Sequence, residues 1–161
     1  YGYSKVSFTD HANVYVINTC SVTDNADKKA QKAIRQVLCR SPKAIIAIIG
    51  CYAQLKAKDI AQLPGVNIVL GTEEKFNLVQ HIECYYFNGR PKIQHSDIET
   101  VKKFVPSFSI GERTRSFLKV QDGCDFMCTF CIIPYRRGRQ VSRPADEIVA
   151  EVQLLVERGV V

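Results

Sequence analysis

Ala44-Ile45-Ile46-Ala47-Ile48-Ile49, running into Gly50-Cys51, decides how the first half of this chain is built. An apolar run without alternation, dominated by β-branched side chains, reads as a strand covered on both faces, as in a parallel sheet. Similar but shorter runs lie on either side: Val14–Asn18 before it, and Val66–Leu70, closed by Gly71, after it. Asp24–Cys39 separates the first two runs and carries Ala30, Ala33, Ile34, Val37 and Leu38 at helical spacing, with Ser41-Pro42 as the stop. A short helix around Lys58–Leu63 is expected before Pro64-Gly65. Beyond Gly71, Thr72 is expected to cap a further helix, with Glu73 and Glu74 in its positive first turn and Phe76, Val79, Ile82 and Tyr86 on its inner face. Strand and helix in alternation predict an α/β fold with an open parallel sheet.

Ligands of such sheets gather beyond the carboxyl ends of the strands. Cys20 follows the first strand through Thr19, and Cys51 follows the second through Gly50. Two thiols on neighbouring strand ends can converge on one ligand; the plainer reading is two small buried residues. Cys39, late in one helix, and Cys84, late in another, are read as structural. Seven cysteines, an odd number without the spacing of a small disulfide scaffold, favour a reducing compartment and metal or redox use.

Residues 1–88 form the expected α/β domain. Residues 89–110 lose all periodicity around Gly89, Pro91 and Pro106, and read as a linker with a short strand near Pro91–Gln94. Residues 111–161 begin a second domain. Phe117–Val120 is expected as a strand that delivers Gln121-Asp122-Gly123 into a cysteine-rich loop. Pro144 opens a helix over Ala145–Arg158, with Ile148, Val149, Val152, Leu155 and Val156 as its apolar stripe and Gly159 as its end. Strand, loop, helix and the start of another strand at Val160-Val161 match the first unit of a (β/α) barrel. A chain that starts at Tyr1 without Met and stops as an apolar run opens is expected to be a piece of a longer protein, truncated in its barrel.

The loop reads Cys124-Asp125-Phe126-Met127-Cys128-Thr129-Phe130-Cys131. Three thiolates on one tight loop can hold three irons of a [4Fe-4S] cube and leave the fourth iron open. Clusters commonly take four Cys ligands, so such a loop either borrows a fourth or keeps a corner for a substrate or cofactor. A structural zinc site is the rival reading, but zinc favours four ligands, often two Cys pairs, and no second pair is present. Four arginines and no acid occupy the following stretch, Ile132–Arg143. A charge run is usually a solvated face; beside a site for an anionic ligand, the guanidinium forks also suit carboxylate and phosphate.

Net charge is +6, with 10 basic against 6 acidic residues in the first 80 positions and 12 against 10 in the rest. An excess so diffuse permits nucleic-acid binding without demanding it. No apolar run is long enough to span a bilayer and no signal peptide is visible, so no membrane partner is expected.

Taken together, Asn18-Thr19-Cys20-Ser21-Val22-Thr23, Gly50-Cys51-Tyr52-Ala53-Gln54, the three-Cys loop and Pro134-Tyr135-x-Arg137-Gly138-x3-Ser142-Arg143 resemble the methylthiotransferase branch of the radical S-adenosylmethionine (SAM) enzymes. The resemblance implies two [4Fe-4S] clusters and SAM as cofactors. Cys124, Cys128 and Cys131 would hold the SAM-cleaving cluster, and Phe130, Arg137, Ser142 and Arg143 would line the cofactor. Cys20 and Cys51 would hold the auxiliary cluster, whose first ligand in the family falls upstream of Tyr1. No catalytic side chain beyond the cluster ligands is implied. The reaction implied is radical transfer of a methylthio group, a step that a C–H bond at carbon 2 of adenine does not undergo by polar attack. Thr23–Lys29 is most similar to the group acting on N6-threonylcarbamoyladenosine 37 of tRNA. Other groups of the family act on isopentenyladenosine 37 or on an aspartate of a ribosomal protein. The implied partners are the anticodon stem-loop of tRNA, met mainly by regions outside this chain, and an electron donor such as flavodoxin or ferredoxin; the implied location is the cytoplasm. A non-enzymatic zinc- or RNA-binding module is the alternative of another class.

Overall fold

A computed structural model describes residues 2–20, 24–96, 105 and 117–159. The chain divides into two compact units, Tyr1–Ile98 and Glu99–Val161.

In the first unit, β1 (Val14–Thr19), β2 (Ile45–Gly50), β3 (Val66–Leu70) and β4 (Lys92–Gln94) form one all-parallel sheet in that order. The apolar run of β2 is central and feeds two cores. Ile46 and Ile48 point into one, with Tyr15, Val66 and Val69 from the neighbouring strands. Ala30, Ile34 and Val37 of α1 (Asp24–Arg40), Tyr52 and Ala53 of α2 (Cys51–Leu55), and Ala57 and Ile60 of α3 (Ala57–Ala61) cover that face. Ile45 and Ala47 join Ile68 and Leu70 in the other core, covered by Ile82, Leu78 and Tyr85 of α4 (Leu78–Asn88). Alternation of side chains along a strand thus explains why every residue of the run is apolar. Ile46, Ile48 and Ile68 are wholly buried, each contributing about 1.5–3 kcal/mol of burial.

A β-bulge in β3 fits the alternation to both cores. Ile46 pairs with Val66 and Ala47 with Ile68, which leaves Asn67 as the extra residue. Its side chain fills the break in the ladder: Oδ1 accepts from the Ile46 amide at 2.8 Å, and Nδ2 donates to the Tyr85 hydroxyl at 2.7 Å.

Several local expectations are corrected. Thr72 caps nothing; its amide donates to Gln54 Oε1 at 2.8 Å, and a 3-10 turn over Glu74–Asn77 precedes α4. A tighter turn rotates the following helix, so Phe76 and Tyr86 are exposed and the inner face is Leu78, Ile82 and Tyr85, with His81 also buried. The helix expected around Lys58–Leu63 is present as α3, one residue earlier at its start, and a further short helix, α2, not expected from the sequence, precedes it and begins at Cys51 itself. The short strand expected near Pro91–Gln94 is present as Lys92–Gln94, and it pairs with β3 as the fourth strand of the sheet. Cys39 and Cys84 are both exposed, which removes a packing role for their thiols.

In the second unit, β5 (Gln121–Asp122) pairs antiparallel with β6 (Val141–Ser142). Of the strand expected over Phe117–Val120, a bridge at Leu118 is what the described residues show. α5 (Ile133–Arg137), with Pro134 in its first turn, follows the cysteine loop, and α6 (Ala145–Glu157) closes the unit. Of the apolar stripe on α6, Leu155 is buried, while Val149, Val152 and Val156 are exposed. Most of residues 89–110, and Val160-Val161, lie outside the described residues. No described helix is long and apolar enough to cross a membrane.

Candidate cluster-binding sites

The parallel register of β1 and β2 pairs Thr19 with Gly50. Cys20 and Cys51 therefore each leave the sheet one residue beyond a matched pair, on adjacent strands and at the same edge. Thr19 Oγ1 donates to the Ile49 carbonyl at 2.7 Å, fastening the two strand ends together. Gly50 has φ 99°, and a Cβ there would lie 2.5 Å from the Thr19 carbonyl oxygen and 2.7 Å from Asn18 Oδ1. Only glycine lets the chain turn that tightly from β2 into the helix that begins with Cys51. Cys20 is exposed and Cys51 half-buried. Lys56, just after α2, pairs with Asp27 of α1 at 3.6 Å, which links the helices that follow the two thiols. Ser21, Val22 and Thr23 of the same motif lie outside the described residues.

In the second unit, Cys124 and Cys131 are half-buried and Cys128 is exposed. The loop closes through two backbone bonds, Cys131 N to the Cys128 carbonyl at 3.0 Å and Cys124 N to the Gly138 carbonyl at 3.2 Å. Two aspartates hold its flanks. Asp122 accepts from Gly123 N at 3.1 Å, pairs with Lys119 and lies 3.9 Å from Arg137. Asp125 Oδ1 accepts from Gln140 N at 3.0 Å and lies 3.9 Å from Arg139. Phe126, Met127 and Phe130 face solvent, Phe130 at 91% exposure.

The arginine-rich stretch divides by partner. Arg143 is sunk against α6, bonded to Glu151 and 3.6 Å from Glu147, and the bond to Glu151 raises its pKa above the ordinary guanidinium value. Arg137 and Arg139 share the aspartates of the loop. Arg136 has no carboxylate partner among the described residues, and its Nε and Nη1 are buried without a hydrogen bond. The Ser142 hydroxyl accepts from Gln140 Nε2 at 3.1 Å. Sequence reasoning missed Asp122, Asp125 and Glu151 as partners. The signal was available in a stretch of four cations between acids at 122, 125, 147 and 151.

All seven cysteines are free thiols. Soft thiolate donors, three of them on one loop and two on paired strand ends, fit an iron–sulfur cluster better than a hard cation. Among the described residues no three His, Cys, Asp or Glu side chains are gathered closely enough to hold a metal ion. Cys124, Cys128 and Cys131 share a loop without converging, and Cys20 and Cys51 share a sheet edge. Thiolate sites of this kind assemble together with their metal.

The family model described as "Uncharacterized protein family UPF0004" matches residues 1–71, and that of the radical SAM superfamily matches residues 118–161. A protein of Bacillus subtilis named threonylcarbamoyladenosine tRNA methylthiotransferase MtaB is 40% identical over 98% of this chain and 36% of its own length. One of the same name from Aquifex aeolicus is 43% identical over 98% of this chain and 39% of its own. A tRNA-2-methylthio-N(6)-dimethylallyladenosine synthase of Syntrophotalea carbinolica is 34% identical over 98% of this chain and 37% of its own. The chain thus spans well under half the length of these relatives.

Proposed function

The chain belongs to the radical SAM methylthiotransferase family, and on that premise we propose that its full-length gene product adds a methylthio group to carbon 2 of N6-threonylcarbamoyladenosine 37 in tRNA. One observation carries the reading: the Thr19–Gly50 pairing sets Cys20 and Cys51 at the ends of adjacent strands, in a chain that also holds the three-Cys loop. That is one thiol group for each of two clusters.

Cys124, Cys128 and Cys131 hold the SAM-cleaving cluster, and Cys20 and Cys51 supply two thiolates toward the auxiliary one. When bound, the clusters and SAM supply one-electron reduction, hydrogen abstraction and the sulfur to be transferred. The protein's own part is placement. Asp122 and Asp125 fix the flanks of the loop through backbone amides, so that the thiols leave from a set frame. Arg143, locked to Glu151 and Glu147, anchors the segment after the loop to α6 and orients Ser142 beside it. Arg137, bridged loosely to Asp122 across 3.9 Å, is the arginine of the motif most easily turned toward a carboxylate of SAM. Phe130, exposed on the loop between two of the thiols, would help line the site of the cofactor. The partners are tRNA, SAM and a low-potential electron donor such as flavodoxin or ferredoxin; the working place is the cytoplasm.

The base modified is the finer part of the proposal, supported by the names of the relatives at 40% and 43% identity. The test is anaerobic purification of the full-length gene product, iron, sulfide and zinc analysis, and mass spectrometry of nucleosides from tRNA treated with SAM and reductant. A methylthio group on the threonylcarbamoyl nucleoside is expected. Its appearance on the isopentenyl nucleoside instead would move the enzyme to the group of the Syntrophotalea relative. A colourless zinc protein without SAM cleavage would overturn the reading.

A further inference from the structure

Gln54 ends the motif Gly50-Cys51-Tyr52-Ala53-Gln54, and the cluster reading gives it no task. It is almost fully buried, and both ends of its amide are used. Oε1 accepts from the Thr72 amide at 2.8 Å, just past the end of β3. Nε2 donates to the Ser96 carbonyl at 2.7 Å, just past the end of β4. Gln54 itself stands on α2, which follows β2. One side chain therefore ties together the exits of three adjacent strands at the edge where Cys51 lies. The fit is close: a Cβ on Gly71 would collide with Gln54 Oε1, so the strand end is bare where the amide passes. Ser96 is held a second time, its hydroxyl donating to Glu74 Oε1. Glu74 is buried as well, in the 3-10 turn after β3.

Cys51 and Gln54 are the first and fourth residues of a five-residue helix. Residues three apart on a helix lie on one side. Fixing the Gln54 amide at two points therefore fixes the azimuth of the turn from which the Cys51 thiol departs. A helix of five residues has no length with which to hold that azimuth alone. Its cap supplies none either, since Gly50 makes no side-chain bond to it.

We propose that Gln54 is a positioning residue for Cys51: its amide, braced between Thr72 and Ser96, aims the thiolate that holds the auxiliary cluster, and through Ser96 it also sets where the chain departs from the sheet. The inference rests on the assignment of Cys51 as a ligand. Partners one shell out from a metal ligand commonly alter affinity or activity by about 10–100-fold when removed.

The test uses the full-length gene product, reconstituted anaerobically, with three variants. Gln54→Met keeps the length and loses both bonds. Gln54→Glu keeps the acceptor for Thr72 but sets a carboxylate oxygen against the Ser96 carbonyl. Cys51→Ala tests the underlying assignment. Expected for Gln54→Met is SAM cleavage within about twofold of the parent, methylthio product per SAM cleaved reduced by roughly tenfold, and an altered paramagnetic resonance signal from the auxiliary cluster alone. Gln54→Glu should give the same pattern more weakly, and it carries the test if the Met variant does not accumulate. A lower melting temperature with an unchanged product ratio and unchanged spectrum would make Gln54 a structural residue and overturn the proposal. Cys51→Ala separates the two failures: undiminished iron and sulfide in that variant would remove the auxiliary-site reading itself, whatever Gln54 does.

Discussion

The sheet unit and the loop unit are held together by different forces. In the first, a four-stranded parallel sheet buries apolar side chains of its first three strands on both faces, and the thiol positions follow from strand register. In the second, two strands of two residues each frame a loop whose aromatic side chains lie in solvent, and the closures are carboxylates against arginines and amides. Burial is cooperative and insensitive to salt; exposed ion pairs are worth little and are screened. The contrast teaches where each site obtains its shape. Cys20 and Cys51 inherit theirs from a packed core, whereas Cys124, Cys128 and Cys131 obtain theirs from backbone closures and, on the function proposed above, from the metal they would gather.

The largest effect that separates the two units is chemical. Cys128→Ala in the full-length gene product should abolish SAM cleavage and remove close to half of the iron, with the melting of the sheet unit unmoved because Cys128 is exposed and lies outside that unit. Thermal unfolding followed by circular dichroism beside iron analysis checks both halves; cleavage that persists would end the assignment of the loop. Next in size is Ile48→Ala, which empties a wholly buried site shared with Tyr52 and Val69. It should cost about 2–5 kcal/mol in urea unfolding of the sheet unit. Phe126→Ala, removing a side chain 74% exposed, should change unfolding by under about 0.5 kcal/mol. Equal costs for the two would erase the distinction drawn between the units.

What could be read from residues alone divides along the same line. Val66–Leu70 and the central run were legible to within a residue, because apolar side chains fill both faces and Asn67, taken up by the bulge, is their one polar interruption. The register that brings Cys20 level with Cys51 was legible as adjacency, since both follow a strand end directly. The phase of α4 was not: nothing in Thr72-Glu73-Glu74 distinguishes a capped α-helix from a 3-10 turn, and the choice was made by Gln54, eighteen residues earlier, which takes the Thr72 amide. The helix α2 was hidden for a related reason. Its start, Gly50-Cys51, reads as a turn, and five residues give no period. In the loop unit cysteine spacing singles out candidate donors whatever surrounds them, but the architecture was not legible: Phe117–Val120 had the composition of a strand, and only a bridge at Leu118 is described there.

A smaller effect tests the strand end on which Cys51 depends. Gly50→Ala must place a Cβ against the Thr19 carbonyl oxygen in a left-handed conformation. The strain is about 1–3 kcal/mol, and relief by movement of α2 would shift Cys51 away from Cys20. Cluster reconstitution should therefore suffer more than melting does; loss of stability with unchanged iron would show that the turn sets the fold without setting the site.

An effect of the same order, with no bearing on the thiols, concerns Asn67, the bulge residue that lets β3 serve both cores. Asn67→Ala leaves the amide of wholly buried Ile46 without its acceptor and should cost about 1–3 kcal/mol, more than a surface change at a half-buried position ordinarily does. Asn67→Asp keeps the acceptor for Ile46, and the Tyr85 hydroxyl can donate to the carboxylate where it accepted from the amide. The Asp variant should therefore recover most of the loss in urea unfolding. If both variants cost the same, the bulge is held by packing of Val66 and Ile68 on opposite faces, and the self-contained character of the sheet unit rests on apolar burial with no polar help at its one irregular point.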